Sequence, residues 1–270
     1  MLRSEGDRLV RVVVSSPLEE YYIGGDHETH NIAEAADRDL AIAQHGKLKS
    51  ILENYECEVI DAPELPGHPN SVFTRDTAVC TPDGYIRMRM GLESRRGEEE
   101  WMAGILDDLG ESCVGEIMTP GTVEGGDIIV AGDVAFVGRS SRMNFDGEAQ
   151  LTGILLSLGY EIRIAPIPDR YLHIGGVMSL LGPGRILCCE GVFPPHYFKG
   201  FETIEVSGDS RTTGNVICLG KNRVIVESAN TEVIETLKEN GVKVHAIDLS
   251  EFAKGRGGPS CMIMPVERRP

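Results

Sequence analysis

The sequence predicts an α/β fold built as a ring of five ββαβ-like units. Three observations predict it. A strand–turn–strand pattern recurs four times along the chain. Helical stretches separate the copies. The two chain ends look like complementary halves of a fifth copy.

The segment LVRVVVSS near the start supplies one half of that fifth copy, and CMIMPV near the end supplies the other. Pairing them would close the ring. Residues 29–55 carry apolar side chains at i, i+3 and i+4 spacing and read as a helix. The first full copy is DTAVCTPDGYIRM, 76–88. A helix is expected over 97–109, then GGDIIVAGDVAFVG over 125–138 and a second helix over 145–158. The third copy is HIGGVMSLLGPGRILCCEG, 173–191, and the fourth is GNVICLGKNRVIVES, 214–228. A DG, GD, PG or KN pair marks the turn inside each copy. The helix at 231–240 has Thr231 as its expected N-cap and Gly241 just beyond its end. Residues 248–254 add a short helical turn. Copies begin roughly 40 to 50 residues apart, a spacing typical of radial repeats. A doubly wound sheet would need longer strand–helix–strand units and fewer hairpins. No linker or composition shift divides the chain, so residues 1–270 are expected to form one domain.

Composition narrows the function. Of 270 residues, 41% are hydrophobic and 25% charged, ordinary for a globular protein, and 32 glycines suit a fold with many turns. A net charge of −16 repels phosphate backbones, which excludes nucleic acid as a natural partner, and it attracts cations. No apolar run has membrane-spanning length, and the charged N-terminus lacks a signal-peptide core. Seven scattered cysteines form no CxxC pair, so neither a zinc site nor a disulfide framework is expected, and the cytosol is the simplest compartment. Asp26, His27 and His30 resemble a metal cluster but read better as a solvated helix start. No cofactor is expected, and homo-oligomerisation stays open.

In a radial ring, equivalent positions face one axis. Residues at or just before the first strand of each copy should therefore converge: Asp76, Glu124, Asp127, His173, Asn215 and Cys261. A thiol, an imidazole and several acids meeting at one place make a nucleophile–base–orienter set. Carboxylates in an enclosed pocket favour a planar cation such as a guanidinium. Cys261 follows a glycine-rich lead-in that lets backbone approach a ligand, whereas Cys188, Cys189 and Cys218 lie inside apolar strands and read as core.

Four segments resemble the guanidino-group-modifying superfamily: NSVFTRDTAV (70–79), VEGGDIIV (123–130), LHIGG (172–176) and GRGGPSCMIMP (255–265). Together they span most of the chain. That superfamily includes arginine deiminases, dimethylarginine dimethylaminohydrolases and amidinotransferases. The resemblance implies a five-bladed α/β propeller, the pentein fold. It implies Cys261 as nucleophile, His173 as proton carrier, Glu124 as its orienter and Asp76 as the grip on the guanidinium. It implies Arg95 and Arg142 as a carboxylate clamp, and a mobile lid at the glycines of 21–26. Asn70, Arg75 and Asp127 join the candidate substrate contacts. The deiminases and amidinotransferases carry an Asp two residues after the catalytic His; here that position is Gly175. The dimethylaminohydrolase pattern has an Asp and a Glu near Asn70 and Arg75, and here both differ. The resemblance therefore implies a hydrolase of arginine or an N-methylated arginine that releases citrulline. An amidinotransferase, a citrulline-acting hydrolase and a non-catalytic pentein of the ribosome anti-association type stay open.

Overall fold

A computed structural model of the chain describes residues 2–22, 27–208 and 210–270. In chain order the elements begin with β1 (Arg8–Ser15), α1 (Arg38–Asn54) and β2 (Glu58–Ala62). Next come β3 (Ala78–Thr81), β4 (Gly84–Arg87), α2 (Glu98–Asp108) and β5 (Cys113–Glu116). These are followed by β6 (Ile128–Ala131), β7 (Val134–Arg139), α3 (Phe145–Ser157) and β8 (Glu161–Pro166). The third repeat holds β9 (Met178–Gly182), β10 (Arg185–Cys189) and β11 (Glu202–Val206). The chain ends with β12 (Val216–Gly220), β13 (Arg223–Glu227), α4 (Thr231–Glu239), β14 (Lys243–Ile247), α5 (Ser250–Lys254) and β15 (Met264–Arg269).

These strands form five three-stranded sheets: β15-β1-β2, β3-β4-β5, β6-β7-β8, β9-β10-β11 and β12-β13-β14. In each, the middle strand runs antiparallel to the first and parallel to the third. The antiparallel pair needs only a tight turn. At Lys221 and Asn222 both φ angles are positive, 51° and 60°, as a hairpin of that twist requires. The parallel pair needs a crossover, and an α-helix supplies it in four of the five sheets. The first sheet joins the two chain ends: Val13 pairs with Met264 and Arg8 with Arg269. This is the fivefold α/β propeller, closed as the two end segments require.

First strands are buried along their whole length in β3, β6 and β12, while the third strands β2 and β14 are mostly half-exposed. Neighbouring sheets touch through β9 and β12, β12 and β1, and β15 and β3. The first strands thus surround the axis, and the ends of these strands aim their leading residues at it.

Three local expectations are revised. Helix α1 starts at Arg38, not at 29, because the Asp37 side chain accepts from Leu40 N at 3.0 Å and caps it there. Residue Thr231 is the first helical residue of α4 and Asn230 takes the cap position. The third repeat has no α-helix between β10 and β11. Its connection carries Pro194 and Pro195, and Phe193, Tyr197 and Phe198 pack as an aromatic cluster on Phe136.

Candidate active site

Four repeats place a short 3-10 turn just before the first strand: Thr74–Asp76, Gly125–Asp127, Ile174–Gly176 and Pro259–Met262. In the fourth repeat a hydrogen-bonded turn ends at Asn215, directly ahead of β12. Each turn delivers one chemical group to the axis.

His173 Nε2 lies 2.7 Å from Glu124 Oε2, and His173 Nδ1 lies 3.7 Å from Asp76 Oδ1. The Asn215 amide donates to Gly175 O at 2.9 Å and reaches Cys261 Sγ at 3.6 Å. Its carbonyl accepts from Ser260 N at 2.9 Å, so Asn215 ties the nucleophile loop to the histidine turn. Cys261 and His173 line the same two chambers. Leu172 precedes the histidine at φ 66° and ψ −55°, and His173 N donates to Tyr171 O at 2.8 Å. That is a strained three-residue turn in a non-glycine residue, and it aims the imidazole at the axis.

The smaller chamber is lined by Asp76, Asn70, Arg142, His173, Arg256 and Cys261 among others. Asp76 Oδ2 accepts from Arg95 at 2.6 Å, yet Asp76 Oδ1 is buried without a hydrogen-bond partner. Asn70 Oδ1 is likewise buried and unpartnered, although its amide donates to His30 O at 3.0 Å. Buried acceptors are nearly always satisfied, so these two oxygens mark places where a donor belongs.

Burial alone would depress the imidazolium of His173, but Asp76, Asp127 and Glu124 outweigh it and raise its pKa to about 9. Burial opposes ionisation of Glu124, yet the His173 hydrogen bond with the nearby His173, Arg142 and Arg95 charges brings it down to about 2. Burial and then the Asp76 charge push the Cys261 thiol up to about 11. The resting site therefore holds a neutral thiol and a charged imidazolium at neutral pH.

Three candidate substrate contacts have protein partners of their own. Arg95 lines the smaller chamber and bonds Glu98 at 2.7 Å, Phe73 O at 3.1 Å and Asp76 at 2.6 Å, and so holds Asp76 in place. Arg75 gives its guanidinium to Glu5 at 2.6 Å and to Ile128 O at 2.7 Å while lining the larger chamber. Asp127 lines neither chamber; it lies fully buried, accepting from Ser140 Oγ at 2.6 Å, and burial pushes its pKa up to about 7. Arg142 keeps its position, lining the smaller chamber with only a 3.5 Å contact to Glu124. Asp26 and most of the glycine-rich 21–26 segment lie outside the described residues.

Sequence reasoning missed Glu98, Ser140 and Arg256. The Arg95–Glu98 spacing of i, i+3 was a usable signal; the partnership of Ser140 with Asp127 spans a hairpin and left none. Asp76, Glu124 and His173 present donor atoms within 4.8 Å of one another. A cation there would have to displace the proton that His173 carries up to about pH 9.

Gly126 belongs to this geometry by its lack of a side chain. A Cβ there would stand 2.6 Å from Asp76 Oδ1 and 2.8 Å from His173 Nδ1. Gly126→Ala is expected to lower kcat/KM by about 100-fold or more, because displacement of reacting groups by about 1 Å has that effect. Steady-state kinetics beside a thermal melt checks this; unaltered kinetics would show that the axis tolerates the methyl group.

The family model described as arginine deiminase matches residues 31–164 and 204–268. The N(G),N(G)-dimethylarginine dimethylaminohydrolase of Pseudomonas aeruginosa is 31% identical over 224 residues, which is 83% of this chain and 87% of that one. The enzyme of the same name from Streptomyces coelicolor is 29% identical over 239 residues, 87% of this chain and 89% of that one. A solved dimethylarginine dimethylaminohydrolase from Pseudomonas aeruginosa, a cysteine-to-serine mutant complexed with citrulline, superposes with a TM-score of 0.83 at 28% identity. The superposition covers 95% of this chain and 99% of that one. With the fivefold ring and the matched stretches together, this chain belongs to the arginine deiminase family, guanidino-acting hydrolases of the pentein superfamily.

Proposed function

We propose that this protein hydrolyses the guanidino C–N bond of arginine or an N-methylated arginine through a covalent intermediate on Cys261. The observation that carries this reading is the buried, unpartnered Asp76 Oδ1 beside His173, in a chamber that Cys261 also lines. A guanidinium N–H supplies the missing donor and the compensating charge. Arg142 takes the amino-acid carboxylate at the far side of the chamber, and Asn70 Oδ1 accepts from the α-ammonium.

The chemistry follows in order. The bound cation offsets the burial and the Asp76 charge that oppose the Cys261 thiolate, so the thiol releases its proton to solvent. The thiolate attacks the guanidino carbon. His173, charged at neutral pH, protonates the departing amine as the C–N bond breaks, leaving an S-alkylthiouronium. The neutral imidazole then takes a proton from water, which attacks the same carbon and expels the thiolate. Glu124 holds the imidazole through 2.7 Å and stabilises its charged form. The products are citrulline and ammonia or a methylamine.

Gly175 favours the methylated substrates. A Cβ there would meet only Gly126 O at 3.5 Å and Ser260 Oγ at 4.0 Å, so the position is open on one side of the guanidinium. Colorimetric assay for citrulline with arginine and Nω-methylarginines tests the reading; no ureido product from any of them would overturn it. Ornithine formed with an amine acceptor present would instead mark amidino transfer.

The thiol assignment is testable on its own. Labelling of Cys261 by iodoacetamide should rise about tenfold per pH unit from about pH 7 to about 9, because only the thiolate reacts and the thiol is held up to about 11. Peptide mass spectrometry separates it from the exposed Cys113. A flat profile would mean a thiolate already formed by ion pairing with His173.

We assign the protein to the cytosol on the seven free thiols. No helix among the described residues is long and apolar enough to cross a membrane.

A further inference from the structure

We propose that Arg211 and Arg256 form a second anion subsite on the leaving-group side of Cys261, so that the preferred substrate carries an acidic group on the nitrogen that departs. This rests on the guanidine-hydrolase reading above.

The larger chamber meets the smaller one at Leu172, His173, Arg256 and Cys261. The nucleophile therefore stands at a junction. On one side are Asp76 and Arg142; on the other are Gly175, Ser260, Thr212 and Arg211, with Arg256 at the junction itself. The space opens where Gly175 has no side chain. A single methyl group fills little of it.

Charge makes the far wall unusual. The chain is strongly acidic, at −16, and many of its arginines sit on a carboxylate. Among the described residues, neither Arg211 nor Arg256 makes an ion pair. Among the described residues the Arg256 guanidinium bonds the neutral Asn31 Oδ1, at 2.7 Å. Arg211 and Arg256 line the same chamber, and Arg211 is held below the usual guanidinium range by burial and then by the Arg256 charge. The lining contains one carboxylate, Glu5, and that is tied to Arg75. Arg256 also has φ 64°, a backbone state that a non-glycine residue adopts only under constraint. Among the described residues, two guanidinium groups that make no ion pair line one chamber together with Cys261, which suits the recognition of a carboxylate.

The resulting substrate class is an Nω-carboxyalkyl arginine. Cys261 Sγ bonds to the guanidino carbon, and the bond from that carbon to the substituted nitrogen breaks. His173 gives its proton to that nitrogen, which departs as an amino acid. Water then converts the thiouronium to the ureido group of citrulline and restores the thiol. No oxidant or further reactant is involved.

The test compares Nω-methylarginine with Nω-carboxymethylarginine on the full chain, reading citrulline and, for the second, glycine. We expect kcat/KM for the carboxymethyl compound to be about tenfold the higher, the order of one charge-assisted contact. Arg211→Gln should lower the ratio of the two values about tenfold, and Arg211→Lys should restore part of it. Hydrolysis of the methyl compound with none of the carboxymethyl one would overturn the second subsite and leave the hydrolase reading intact. A ratio unmoved by Arg211→Gln would do the same, including the case in which Arg211 holds the α-carboxylate. Failure of both compounds to give citrulline would remove the hydrolase reading and this inference with it.

Discussion

Cys261→Ser is expected to lose turnover by roughly 10⁴-fold or more, the scale seen when a nucleophile is removed from a coupled catalytic set. Substrate affinity should stay within about threefold, because the guanidinium is gripped by a charge-assisted contact from Asp76 rather than by sulfur. The fold should hold as well. Cys261 is half-buried, its Sγ takes one long 3.6 Å contact from Asn215, and the Ser260 N to Asn215 bond is untouched by the change. Rapid-quench intact-mass measurement should show the thiouronium adduct on the native chain and none on the variant. Turnover within tenfold of native, at equal melting temperature, would remove Cys261 as the nucleophile. That outcome would return the buried acids to a binding role.

His173→Gln should cost about 10²- to 10⁴-fold in kcat, the range of positioned acid–base catalysis. Glutamine can still offer an N–H to Glu124 but cannot carry a proton to the leaving amine. The pH dependence gives the direction. The His173 pKa is raised to about 9, so the acid form is present below that value and is lost as pH climbs through it. The native kcat should therefore fall on an alkaline limb near pH 9. Glu124→Gln removes the 2.7 Å hydrogen bond and one of the charges that outweigh burial, so that limb should move to lower pH. A limb unmoved by Glu124→Gln would mean that another group supplies the proton. In His173→Gln the limb should vanish, and a retained one would carry the same meaning.

How much of this was legible before the fold was known can be followed through individual residues. The repeated hairpins fixed neighbouring strands, since Lys221 and Asn222 or Gly132 and Asp133 are turn chemistry written locally. The ring closure was legible in two apolar half-patterns, which the Val13 to Met264 register unites. Convergence of Asp76, Glu124, His173, Asn215 and Cys261 followed from repeat equivalence alone, and the structure brings them to one axis. What short stretches did not carry was the partnering of long polar side chains. Arg75 and Arg95 sit in suitable segments, yet their guanidinium groups reach Glu5 and Glu98. Asp127, one turn from Glu124, lies fully buried on Ser140.

By itself the sequence determined the order of strands and helices, the pairing of the two ends and the set of positions that face the axis. Each of these depends on periodicity and turn chemistry within short stretches, which local sterics enforce. Only the tertiary structure decided which acids are spent on arginines, which oxygens are left without donors and where an unpaired cation faces a cavity. Those outcomes are set by competition among groups far apart in the chain for a few desolvated contacts, as when Arg95 takes one oxygen of Asp76 and leaves the other for a ligand.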